Sequence, residues 1–136
     1  MNLENYIKFV LFCRAHPDVY DQLVGYLRKL KAKGFVHHSV KTCWDVLRFN
    51  IGLEQGPNDD YKLNDLYQSF YARLIFAREE DLRGFFEMRD KQTLGPHDIS
   101  SAEVFRHMNE DFGTGYIQTE QTPIAFAEDS VATSPS

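Results

Sequence analysis

The sequence holds no glycine-rich phosphate loop, no G-x-S-x-G elbow, no C-x-x-C pair and no H-E-x-x-H helix. Those absences remove the short signatures of nucleotide binding, serine hydrolysis, thiol redox chemistry and zinc proteolysis. Cysteine is scarce: Cys13 and Cys43 are the only two. Neither has a histidine or acid at a spacing that implies an activated nucleophile. Both fall in apolar helical patterns, so buried free thiols of a reducing compartment are expected, and nothing supports a disulfide. Long hydrophobic runs are missing too. Tyr6 to Cys13 is apolar apart from Lys8, far too short to cross a bilayer, and no signal peptide stands out. The expectation is a soluble cytoplasmic chain with no membrane partner, no cofactor, no metal and no catalytic residue. There is no internal repeat.

What is present is one domain's worth of chain, 136 residues, with 11 Phe, 7 Tyr and 1 Trp to build a core. The stretch Leu63–Arg89 organises the rest. Leu66, Phe70, Leu74 and Ala77 recur at helical spacing with Tyr67, Tyr71 and Ile75 beside them, a wide apolar face that must pack on something. Asn64 suits the cap and Asp65 the first position of that helix. Gly84 interrupts it, and Phe85–Arg89 reads as a short extended segment.

Around this centre the pattern predicts four more helices. Residues 3–15 are apolar on most sides, which suits a central helix or one docked on a partner. Pro17 opens a second helix that runs to about Lys33, with Gly34 as its stop. Ser39 caps a third, from Val40 to Phe49, with Trp44, Leu47 and Ile51 inward. Gly52–Asp60 reads as a loop by composition. The run Ser100-Ser101-Ala102-Glu103 fits a capping box that starts a last helix, Ser101–Asp111. The predicted fold is mainly α, a compact helical domain that is winged-helix-like with a short β element. In that reading Phe35–Ser39 is the first strand, the helix from Asp65 recognises, and Phe85–Arg89 begins the wing. The ten-residue loop before the recognition helix is long for such a motif. The organisation is an apolar helix at 1–16, a helical core at 17–91, a helix and loop at 92–118, and an acidic flexible tail at 119–136.

Charge is unevenly spread. The net charge is −5, yet the acidic excess lies after Lys91, where Arg106 alone faces seven acids. Between Arg28 and Arg48, six cations (Arg28, Lys29, Lys31, Lys33, Lys41 and Arg48) face only Asp45. Lysine and arginine suit phosphate oxygens, and Asn and Gln can read adenine edges. The nucleic-acid candidates are therefore Lys33, His38, Lys41, Arg48, Lys62, Asn64 and Gln68, with Arg89 and Lys91 at the wing. A solvated helix end explains the lysines equally, and a cap explains Asn64. Trp44, Phe70, Tyr71 and Phe86 are assigned to the core; as a run, Tyr67 to Phe86 could also stack bases. Arg73, in the most apolar part of the chain, needs a buried partner, for which Asp45 and Asp65 are candidates. Glu103 and His107 share a face of the last helix, but a metal site needs more converging ligands than that.

Four segments taken together carry a resemblance: Trp44-Asp45-Val46-Leu47-Arg48-Phe49, Tyr61-Lys62-Leu63-Asn64, Phe70-Tyr71-Ala72-Arg73, and Gly84-Phe85-Phe86 with Arg89. In this series residues 17–91 resemble a group of small uncharacterised bacteriophage and prophage proteins. Phe49 and Phe70 depart mildly from that group's pattern. The resemblance implies a phage or prophage origin and a shared structural frame that includes Lys62-Leu63-Asn64 and Arg73. It carries no activity. The functional expectation is a non-enzymatic macromolecule-binding protein, DNA-binding and regulatory. The alternative is a protein–protein module such as an inhibitor of a host enzyme or defence complex, or a homodimer through residues 3–15.

Overall fold

The fold is given by a computed structural model, which describes residues 1–57, 65–88 and 94–116. Five α-helices follow one another: α1 (Leu3–Ala15), α2 (Pro17–Ala32), α3 (Val40–Gln55), α4 (Gln68–Arg78) and α5 (Ser101–Phe112). Two short 3-10 turns, Asp65–Tyr67 and Glu80–Leu82, bracket α4.

Helix α4 is the centre. Phe70 through Ile75 and Ala77 are all buried. It packs against α3 on one side and α5 on another, and its leading 3-10 turn sits against α1. It is not an amphipathic rod with one apolar face. It is buried nearly all round, which is why its apolar residues run consecutively. It is also shorter than the pattern from Leu63 to Arg83 predicts: Asp65–Tyr67 forms a 3-10 turn, Leu66 is exposed, and the α-helix stops at Arg78.

Aromatic rings knit the helices. Phe9 of α1 meets Tyr71 edge-on at 4.9 Å and Phe70 nearly parallel at 5.4 Å. Trp44 of α3 reaches the same Tyr71 at 5.3 Å. Phe70, Tyr71, Phe85 and Phe86 are therefore core residues, and their faces are closed to a base. Phe76 leans on Phe105 and Tyr116, and Tyr67 stacks on Phe12.

The helix ends follow local chemistry. Asn2 caps α1 through its side chain, and Ser39 caps α3 by accepting from the Thr42 N–H. Ser100 and Glu103 form a reciprocal capping box on α5. Gly56, not Gly52, stops α3: Gly52 lies inside the helix and Gly56 turns to φ 66°. The loop predicted from Gly52 thus begins three to four residues late, because Ile51 is anchored in the core and carries the helix onward.

The expected β element does not form among the described residues. Residues 35–39 and 85–88 form no strand, and a single backbone bond joins them, His38 N–H to the Phe85 carbonyl at 2.9 Å. Isolated bridges, Asn2 with Asp98 and Arg83 with Phe86, are the only pairings among the described residues. One bond cannot supply the ladder a wing requires. Cys13 and Cys43 are buried free thiols. No described helix is long and apolar enough to cross a membrane.

Candidate functional site

The N-terminus of α3 gathers three of the polar residues singled out in the sequence, His38, Lys41 and Gln68. His37, His38, Ser39, Lys41, Gln68 and Glu87 line a cleft of about 340 Å³. A neighbouring hollow of about 470 Å³ extends it past Ser69 to Arg73 and Met88. His38 is fixed in place. Its backbone N–H is held by Phe85, its Nδ1 accepts from the Ser39 N–H at 3.0 Å, and its ring meets Phe35 edge-on at 5.7 Å. His37 Nε2 lies 3.3 Å from the Glu87 carboxylate.

The cations here are already matched by acids of the same chain. Lys41 pairs with Asp45 at 3.2 Å, one turn on. Arg48 bridges Asp45 at 2.8 Å and Asp65 at 2.6 Å. Arg28 grips Glu79 at 2.6 Å and Asp81 at 2.9 Å, and Lys31 donates to the Asp81 carbonyl. Hydrogen bonds from Arg28 hold the Asp81 carboxyl below the usual carboxylate range. The six-cation stretch is therefore not a free basic patch. Lys33 lies apart from the cleft, at the end of α2. Lys62, Asn64, Arg89 and Lys91 fall outside the described residues.

Arg73 is 2% exposed. Neither acid expected to pair with it does so, since Asp45 and Asp65 are both held by Arg48. Its Nε donates to the Ser101 hydroxyl at 2.8 Å and its Nη1 to the Ser69 carbonyl at 3.2 Å. The guanidinium thereby ties α4 to the first turn of α5. Glu103 serves the capping box of that same helix.

On the other side of His38 lies a second depression, of about 340 Å³, between α2 and α3. Tyr26, Leu30, Thr42, Cys43 and Val46 form it, with Lys29 and His38 contributing. Asn50 donates to the Tyr26 hydroxyl at 3.1 Å. Its apolar surface continues down α3, where Val46 is 46% exposed, Phe49 65% and Leu53 71%. Burial pushes the Cys43 thiol up, so it stays protonated at neutral pH and serves as an apolar lining group.

The chain matches no protein-family model, no curated protein and no solved structure.

The sequence reading overlooked Val46, Phe49 and Leu53. The signal was there: they recur at helical spacing just as Trp44, Leu47 and Ile51 do. Two adjoining apolar stripes on one helix do not reveal which is covered. The structure covers the second set and leaves the first to solvent.

Proposed function

We propose that this chain is a non-enzymatic binding protein whose partner is another protein. One observation carries the reading: a solvent-facing apolar stripe on α3, Val46-Phe49-Leu53, continuous with an apolar depression against α2. Scattered exposed leucines are ordinary, whereas a valine, a phenylalanine and a leucine aligned along about two turns beside a concavity form a contact surface. If the chain has the phage or prophage setting its segments resemble, the partner is a host enzyme or a component of a defence complex. The second apolar stripe, Leu3, Ile7 and Leu11 on α1, is the surface through which a homodimer would form.

Duplex DNA is the rival partner, met by a winged-helix-like use of the core in a regulatory role. The convergence of His38, Lys41 and Gln68 at the N-terminus of α3 favours it. Against it, Lys41, Arg48 and Arg28 would have to break short ion pairs with their own acids before meeting phosphate. Affinity capture from lysate, with and without nuclease, separates the two readings. A protein retained after nuclease supports the proposal. Loss of the captured material on nuclease treatment, with a shift of random duplex at micromolar protein and low salt, overturns it.

A further inference from the structure

We infer that the depression between α2 and α3 receives an acidic amphipathic helix of the partner protein. This rests on the protein-binding reading above and specifies the chemistry of the occupant.

Shape comes first. Two packed helices, α2 and α3, leave a trough floored by Leu30 and Val46 and walled by Tyr26. About 340 Å³ is room for one or two large apolar side chains, the anchors of a helix lying in a groove. Phe49 and Leu53 follow Val46 at helical spacing and lengthen the apolar track to about three turns, on the order of 15 Å. That length suits anchors spaced one turn apart on a second helix.

Charge selects the sign. Arg28, Lys41 and Arg48 are each paired to carboxylates of this chain. Lys29 and Lys33 are different: among the described residues neither has a carboxylate within ion-pair distance. Lys29 lies in the last turn of α2 and lines the trough directly, and Lys33 caps the end of that helix. His38 adds a third nitrogen-bearing side chain, and no acidic residue is among the lining groups. A net-negative chain thus leaves one unmatched cation, Lys29, on its apolar trough and a second, Lys33, at the end of the helix that carries it. The complementary occupant carries leucine-like anchors on one face and Asp or Glu on the flank that meets α2.

The test is selection of helical peptides from a displayed random library on the full-length chain, followed by affinity measurement on the selected peptides. Three surface variants serve as comparisons: Val46→Asp, Lys29→Glu with Lys33→Glu, and Leu11→Asp on the far stripe of α1. All replace exposed or half-exposed side chains, and equal thermal unfolding confirms that each is folded. The expected result is enrichment of net-acidic peptides with apolar residues at i and i+3 or i+4. Their affinity falls at least tenfold on Val46→Asp, falls at least fivefold on the double charge reversal, and is unchanged on Leu11→Asp. Affinity also declines as salt rises. Enrichment of neutral or basic peptides, equal binding to the Val46→Asp chain, or no enrichment at all overturns the inference. Light scattering that shows a dimer dissolved by Val46→Asp also overturns it, because a second copy then covers the trough. A lysate protein captured through α3 without selection of acidic helices would leave the protein-binding reading standing and remove only this occupant.

Discussion

Arg73 and Trp44 show how single residues hold this molecule together. Arg73 is a buried cation whose donors are distributed over Ser101 and the Ser69 carbonyl, so removing its head group strands polar atoms as well as opening a void. Arg73→Ala should cost about 2–4 kcal/mol, measured by urea unfolding followed by the fluorescence of the single tryptophan. Trp44 is fully buried, and its indole N–H has no acceptor among the described residues. Its ring packing matters, and its donor contributes nothing. Trp44→Phe should therefore be far milder than Trp44→Ala, with circular dichroism as the readout for both.

Two tyrosines link distant elements through carboxylates. The Tyr6 hydroxyl donates to Asp111 at 2.8 Å and the Tyr20 hydroxyl to Glu79 at 2.7 Å. Burial, then these hydrogen bonds, push both hydroxyls well above the ordinary tyrosine value. Burial also raises the thiols of Cys13 and Cys43. A folded-state value above the unfolded one means stability that is complete below the unfolded value and lost as pH rises past it. Thermal unfolding should accordingly hold steady near pH 8 and fall progressively above about pH 9–10. Tyr20→Phe should begin less stable by about 1 kcal/mol and show a shallower alkaline decline.

At the scale of helices, two glycines in α3 give opposite expectations. Gly52 sits inside the helix with nothing within 4 Å of where a Cβ would stand. Gly52→Ala should stabilise by about 0.5–1 kcal/mol. Gly56 has φ 66° and ψ −157°, a conformation that L residues avoid, so Gly56→Ala should destabilise by about 1–3 kcal/mol. If the helix instead ended at Gly52, the first substitution would bring no gain in unfolding temperature.

Caps made much of this layer readable in advance. Pro17, Ser39, and the Ser100–Glu103 pair each carry their meaning within four residues, and the helices start where those residues say. Other features needed distance. Arg28 finds Glu79 and Asp81 across 51 and 53 positions, so a run of cations that looks unopposed along the chain is opposed in space. Which stripe of α3 faces solvent depends on where α2 and α4 press, a tertiary fact that no window of sequence contains. The pieces at 35–39 and 85–88 have the composition of strands, but only one backbone bond joins them. At the candidate site, His38, Lys41 and Gln68 were readable as polar residues near a helix start. The apolar trough beside them was not.

For the whole molecule the arrangement separates structure from contact. The aromatic centre on α4 closes the interior, and ion pairs and one carbonyl contact engage Arg28, Lys31, Lys41 and Arg48 of the cation-rich stretch. Two apolar stripes face outward, one on α3 and one on α1, with Lys29 lining the trough beside the first. A surface of that kind suits a protein partner better than a phosphate backbone, whose affinity comes from unpaired cations. Random duplex DNA should accordingly give no mobility shift at micromolar protein in low salt.

The decisive measurement is a paired capture from nuclease-treated lysate, with the full-length chain and its Phe49→Asp variant as baits of equal thermal stability. The wild-type bait should retain a discrete protein that the variant retains at least tenfold less. Equal retention by both baits, or capture that disappears once nucleic acid is digested, would contradict the assignment of the α3 surface to a protein partner.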